Sequence, residues 1–183
     1  MAQYIAFSPK VEVSTSFISS ILGAIPQQEQ KIRNICARNG IQNTQASDWC
    51  QQQKFLNVYK EVAQNLGPHM LFSMGKSLFD SLQFPKEIKT LEAALKNLDA
   101  VMQLSHREGQ KGYYNLLSFD IRKKEARVEC NNPYPCYLDR GILTGLGRKF
   151  KPTDASLINV QLDTNLPHRL IGAESSIYTI LWV

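Results

Sequence analysis

The sequence predicts an α+β fold: a helical N-terminal part followed by a β-β-α-β-β unit with an antiparallel sheet. Three observations carry this. Apolar residues recur at helical spacing in successive segments between Ser14 and Ser105, and from Tyr113 onward the period changes to two. The chain has 183 residues, 43% hydrophobic and 20% charged, which is the make-up of a globular protein and a length that one hydrophobic core can serve. With no internal repeat, low-complexity tract or Gly/Ser linker to divide it, residues 1–183 read as one domain.

The elements follow in order. Phe17, Ile18, Ile21, Leu22 and Ile25 form a stripe from Ser14 to Ile25, behind a Ser/Thr run that can cap a helix, and Pro26 ends it. Glu29 to Arg38 carries Ile32, Ile35 and Cys36 on one face, with Asn39-Gly40 as a left-handed stop. Asp48-Trp49 opens a third helix, whose stripe of Phe55, Val58, Tyr59, Val62 and Leu66 runs up to Gly67. Pro68 starts a fourth, with Met70, Leu71, Met74, Leu78 and Phe79 on one side, and Phe84-Pro85 marks a break. From Lys86 to Ser105, the positions Ile88, Leu91, Leu95, Leu98 and Met102 step by three and four, which predicts a long amphipathic helix.

Beyond Gly109, Tyr113, Asn115, Leu117 and Phe119 alternate with Tyr114, Leu116, Ser118 and Asp120. Ala126, Val128 and Cys130 repeat that period past the charged Arg122 to Glu125 turn, so a β-hairpin is expected. Pro133 and Pro135 remove ladder donors and bar a central strand from 131–136. Asp139 is placed to cap a helix with Ile142, Leu143, Leu146 and Phe150 on its apolar face. Gly141, Gly145 and Gly147 lie within that helix and read as close-packing positions, since no phosphate-loop ending follows them. Leu157 to Asp163 and Ser176 to Trp182 supply the last two strands, around a loop with Pro167, His168 and Gly172.

Charge and composition narrow the partners. The formal net charge of +5 is spread in twos and threes, with no run of five basic residues. The densest groups, Arg122 to Arg127 and Arg148 to Lys151, read as a hairpin tip and a helix C-terminus, which argues against nucleic acid. No stretch approaches a membrane span, and Met1 to Phe7 lacks the pattern of a signal peptide. Cys36, Cys50, Cys130 and Cys136 are therefore read as reduced thiols, and the expected location is cytoplasmic.

The segment Cys130-Asn-Asn-Pro-Tyr-Pro-Cys136-Tyr-Leu-Asp139-Arg-Gly141, followed by Gly172-Ala-Glu-Ser-Ser-Ile-Tyr178-Thr-Ile-Leu-Trp182, resembles the ending of 4-vinyl-reductase-like domains. Their relatives include haem nitric-oxide-binding domains and transport-particle (TRAPP) subunits. The resemblance implies helices followed by a split four-stranded sheet, with small apolar or tetrapyrrole-like ligands in some members and protein assembly in others. Where that family commonly has cysteines, this chain has His168 and Ser176, and the Tyr-x-Ser-x-Arg pattern of haem nitric-oxide-binding domains is absent.

No catalytic residue is assigned, because no nucleophile elbow, dyad or carboxylate pair has the spacing that chemistry needs. No metal site is assigned either: Cys130 and Cys136 are loosely spaced for zinc, and no second Cys/His pair has convincing ligand spacing. A haem would need an axial ligand facing an apolar cavity. His69 follows Pro68 and precedes Met70, Leu71 and Phe72, so its imidazole could reach an inter-helical pocket, but a partly buried structural role is the reading preferred to haem ligation. His106 reads as a cation at a helix end and His168 as part of a polar loop. Trp49, Phe55, Tyr59, His69, Met70, Phe72, Met74 and Tyr134 are the candidate ligand-binding residues, although aromatic and methionine stripes also fill cores.

The leading expectation is a non-enzymatic sensor or carrier that holds a small apolar or tetrapyrrole-like ligand between helices and sheet. Its alternative is an assembly module of the transport-particle type, forming a homodimer through helical faces such as that of Lys86 to Ser105. An enzyme acting on a tetrapyrrole vinyl group rests on the resemblance alone.

Overall fold

The computed structural model describes residues 3–41 and 48–183; residues 1 and 2 of the stretch read for a signal peptide lie outside it. A short strand, β1 (Glu12–Ser14), leads into α1 (Ser16–Gly23) and α2 (Glu29–Arg38). Next come β2 (Trp49–Gln51), α3 (Gln52–Leu66), α4 (Pro68–Ser81) and α5 (Leu91–Gln103). The C-terminal part holds β3 (His106–Arg107), the hairpin β4 (Tyr113–Asp120) and β5 (Glu125–Asn131), then α6 (Cys136–Lys149), β6 (Ile158–Leu162) and β7 (Ser176–Trp182). The predicted α+β class and the β-β-α-β-β order are both present.

Four strands form an antiparallel sheet in the order β4-β5-β7-β6. The C-terminal strand is thus central, paired with β5 through Val128↔Tyr178 and with β6 through Val160↔Ile180. Alternate residues of β7 face the core, where Tyr178, Ile180 and Trp182 are buried. The hairpin tip closes as its charges predict: Asp120 Oδ1 accepts the backbone N–H groups of Arg122 and Lys123 at 2.9 and 3.0 Å.

Three boundaries differ from the sequence reading. The third helix starts at Gln52, because Trp49 and Cys50 pair with Ser14 and Val13 in a three-stranded sheet, β2-β1-β3. Strands of two or three residues are too short to display a period of two. The long helix starts at Leu91 instead of Lys86: the Thr90 hydroxyl accepts from the backbone N–H of Ala93 at 3.2 Å, an N-cap that five apolar positions in register had concealed. Asp139, expected at a cap, lies inside α6, which begins after Pro135.

The helices and the sheet enclose one hydrophobic cluster, from Val13 to Trp182. The apolar face of α5 is used inside it, since Leu91, Leu95, Leu98, Val101 and Met102 are buried. That is the face that the assembly reading would offer to a second copy. Helices α4 and α6 touch backbone to backbone at Gly75 and Gly141: a Cβ on Gly75 would clash with the Leu138 carbonyl oxygen, and one on Gly141 with the Phe72 carbonyl oxygen. No helix among the described residues is long and apolar enough to cross a membrane.

Candidate functional site

Two of the candidate ligand-binding residues meet in the core. The rings of Tyr59 and Tyr134 stand edge to face, 6.1 Å apart, with Tyr59 fully buried and Tyr134 3% exposed. Phe55 and Met74 are buried core side chains, and Met70 packs against the core from its margin. The remaining three lie elsewhere. Trp49 is on the small sheet under the Arg107 guanidinium, 4.7 Å from its ring centre, and the Phe72 ring lies beneath the Lys76 ammonium at 4.9 Å. His69 is exposed in the first turn of α4, edge-on to Tyr137 at 5.8 Å, so it faces no inter-helical pocket. Starting the helix at Pro68 turns position 69 outward.

The imidazole that does reach the interior is His106, only 7% exposed. It sits just past the C-terminal end of α5, where its Nδ1 lies 2.7 Å from the Met102 carbonyl and its Nε2 lies 2.6 Å from the Tyr134 hydroxyl. A carbonyl can only accept, so Nδ1 carries the proton and Nε2 presents its lone pair to the tyrosine O–H. The Gln52 amide N–H donates to that hydroxyl oxygen at 3.3 Å, completing a His-Tyr-Gln chain. Burial lowers the pKa of His106 to about 4, with Lys111 adding to the effect and the Met102 bond and Asp99 opposing it. The side chain expected as a helix-end cation is therefore a neutral core imidazole.

Beside this chain two buried oxygens, Gln52 Oε1 and Tyr59 Oη, have no hydrogen-bond partner among the described residues. From outside, a surface depression of about 370 Å³ between Gln103, Lys111 and Tyr113 leads towards the cluster. A separate cavity of about 10 Å³, sharing Gln103, Lys111, Gly112 and Tyr113 with that depression, is lined by His106 and Tyr134. Its rim is held by Lys111 Nζ, which donates to the His106 carbonyl at 2.9 Å, and by Gln103 Nε2, which donates to the Gly112 carbonyl at 2.9 Å.

A second buried network positions Tyr134 from behind. The Arg169 guanidinium donates to the Asn132 and Tyr134 carbonyl oxygens, the latter at 2.6 Å, and to Asn132 Oδ1 at 2.8 Å. It also forms an ion pair with Asp139, and both side chains are essentially inaccessible. The other Asp139 oxygen accepts from the Tyr114 hydroxyl at 2.7 Å. Burial raises the Asp139 pKa, while Arg169 and these hydrogen bonds pull it down. Asp139 is thus an internal partner of Arg169 and not a cap, and the Asn132 to Cys136 turn is clamped between the loop before β7 and the helix that follows it. His168, next to Arg169, is also buried, with Nδ1 unpartnered among the described residues.

The sequence reading named Tyr59 and Tyr134 as candidates and did not place Gln52, His106, Asp139 or Arg169 beside them, where the fold brings them. One local signal existed: His106 follows Met102 by four positions, the spacing at which an imidazole can reach back to a helix carbonyl. Among the described residues there is no group of three His, Cys, Asp or Glu side chains that could hold a metal ion.

No protein-family model matches the chain, and no curated protein sequence matches it. Its fold is that of H-NOX domains. An H-NOX protein from S. oneidensis in the Fe(II)NO ligation state superposes with a TM-score of 0.67 at 14% identity, over 92% of this chain and 98% of that one. An oxygen-binding H-NOX domain related to soluble guanylate cyclases, in its oxygen complex, gives 0.62 at 10% identity, over 92% and 94%. A structure from work on haem distortion in the H-NOX family gives 0.66 at 10% identity, with the same coverage.

Proposed function

We propose that this chain is a non-enzymatic small-molecule sensor or carrier that seats a small, largely apolar ligand between its helical layer and its four-stranded sheet. The seat is the cluster of Tyr134, His106, Gln52 and Tyr59. One observation carries the reading: inside an apolar core the chain retains a neutral imidazole, two tyrosines and an amide, and leaves two of their oxygens without partners. Buried polar groups without partners destabilise a fold, by roughly 1–3 kcal/mol each, and native cores hold few of them. A ligand with donors at those positions would satisfy them. The fold supports the reading, because the solved H-NOX structures include complexes with nitric oxide and oxygen.

The group this fold implies is a haem, and the residues present do not fit one. The His106 lone pair is held by Tyr134; His168, whose Nδ1 is unpartnered among the described residues, lines neither of the cavities described above; and the buried guanidinium that could meet a carboxylate is held by Asp139. The cavity that His106 and Tyr134 line has a free volume of about 10 Å³, whereas sites for cofactor-sized molecules run to roughly 300–1,000 Å³. The proposal therefore keeps the small apolar ligand and assigns no chemistry to a tetrapyrrole.

Native mass spectrometry of the gently purified chain, alongside thermal unfolding with a panel of small neutral aromatics, tests this. We expect an adduct or a raised midpoint that Gln52→Leu and Tyr59→Phe both weaken. A chain that carries no adduct from any preparation and answers to none of the panel is not such a sensor.

A further inference from the structure

The His106 lone pair has a partner inside the chain. Three features make that partner specific. The Nδ1–H is fixed by the Met102 carbonyl, so Nε2 can only accept. The Tyr134 hydroxyl supplies the donor at 2.6 Å and in turn accepts from Gln52. The Tyr134 ring fills the space between His106 and Tyr59, with centroid distances of 5.7 and 6.1 Å. The turn that carries it is clamped by Arg169 and by Asn132 Oδ1, which accepts from the Tyr134 backbone N–H at 3.0 Å.

We infer that Tyr134 is a built-in stand-in for a ligand: it closes the seat at His106 to a metalloporphyrin, and that seat admits a neutral aromatic molecule bearing a hydroxyl, of about the size of the tyrosine ring. The inference rests on the ligand seat proposed above and names the chemistry it selects. The hydroxyl is required because a ligand that displaces Tyr134 must give Nε2 a donor and Gln52 an acceptor, or both stay buried and unpaired. Neutrality follows from the surroundings. The charges that act on this cluster are Lys111 at the rim, Asp99, a half-buried carboxylate of α5 that accepts from the Tyr114 backbone N–H, and Asp139, which is paired with Arg169. An anion in the seat would lose its water without gaining a free cation. Burial holds His106 unprotonated, in keeping with this.

The test uses the full chain in two arms. In the first, hemin is titrated into the wild type and into His106→Ala while the Soret band is followed. The expected result is no complex that depends on His106; a one-to-one complex abolished by His106→Ala overturns the inference. That outcome would still leave a ligand-binding domain, whereas a chain that binds nothing from the aromatic panel would fail the functional proposal and leave haem exclusion standing.

In the second arm, Tyr134→Gly opens the seat, and calorimetry compares 4-methylphenol with toluene. Binding of the phenol at least tenfold tighter than toluene is expected, and loss of that preference in Tyr134→Gly/His106→Ala. A folded Tyr134→Gly that binds neither, or both equally, refutes the stand-in role. Should Tyr134→Gly fail to fold, ¹⁵N spectra of the wild-type imidazoles decide: His106 protonated at Nδ1, with Nε2 accepting, supports the inference, and His106 protonated at Nε2 overturns it.

Discussion

At the scale of single residues, the core of this protein is governed by where polar atoms find partners. His106 is the sharpest case, because its proton inventory differs between the folded and unfolded chain. Its folded pKa of about 4 lies below the unfolded value of 6.5, so between those values the unfolded chain binds the extra proton. The contribution is fully present above pH 6.5 and is lost as pH falls towards 4. Urea unfolding at about pH 7.5 and about pH 4.5 should show a loss of roughly 2–3 kcal/mol attributable to this group. His106→Gln, which cannot titrate, should show a correspondingly flatter pH dependence; parallel curves for the two proteins would mean that His106 is not held neutral by burial. This residue also shows why the site was only half legible. Tyr59 and Tyr134 stood out as large aromatics, but a histidine past a helix end has the same local sequence whether it meets solvent or core. Arg169 and Asp139 are thirty positions apart, and charged residues are rarely buried unless paired, so only the folded chain reveals that each is the reason the other can be inside.

At the scale of elements, the junction of α4 and α6 decides how the helices sit over the sheet. Gly75 and Gly141 let the two backbones approach to a distance that no side chain allows. Gly75→Ala should therefore push its Cβ against the Leu138 carbonyl, a rigid neighbour, and destabilise the chain by about 1–3 kcal/mol through overpacking. Gly23→Ala is the control: nothing lies within 4 Å of its Cβ position at the end of α1, and alanine is the better helix former by about 0.5–1 kcal/mol. Thermal unfolding of the two variants should move in opposite directions, and equal shifts would show that the helices do not pack through these glycines. The sequence reading anticipated close packing for Gly141, because three glycines inside a helical pattern lacked a phosphate-loop ending. It could not see Gly75 as the partner, since helical periodicity reports which face is apolar and says nothing of which helix covers it. The elements of four turns or of seven to eight strand residues were legible for the complementary reason: each repeats its period enough times to be unambiguous. The β1, β2 and β3 strands never complete that repeat.

At the scale of the whole molecule, the N-terminal helices and the C-terminal sheet unit share one hydrophobic cluster. Gln52 at the start of α3 reaches Tyr134 before α6, His106 joins both, and the apolar cluster runs without a break from Val13 to Trp182. Sequence alone proposed a single domain from the lack of a linker; the shared core turns that proposal into a measurable one. Four free cysteines are distributed across it, Cys36 on α2, Cys50 on β2, Cys130 on β5 and Cys136 at the start of α6, and all four are buried. Burial also raises the thiol pKa of Cys36 to about 11 and that of Cys130 well above its usual value, so neither is reactive while the core is closed. Pulsed alkylation across a urea gradient, read by peptide mass spectrometry, would follow each thiol separately. If residues 1–183 unfold as one cooperative unit, all four should become labelled with a common midpoint. The Tyr134→Ala variant should lower that midpoint for Cys36 and Cys50 as much as for Cys130 and Cys136, because its ring is packed by α3 as well as by its own turn. Labelling of Cys36 and Cys50 at clearly lower urea than Cys130 and Cys136 would instead divide the chain into a helical unit and a sheet unit, and would place the His106–Tyr134 contact at the boundary between them.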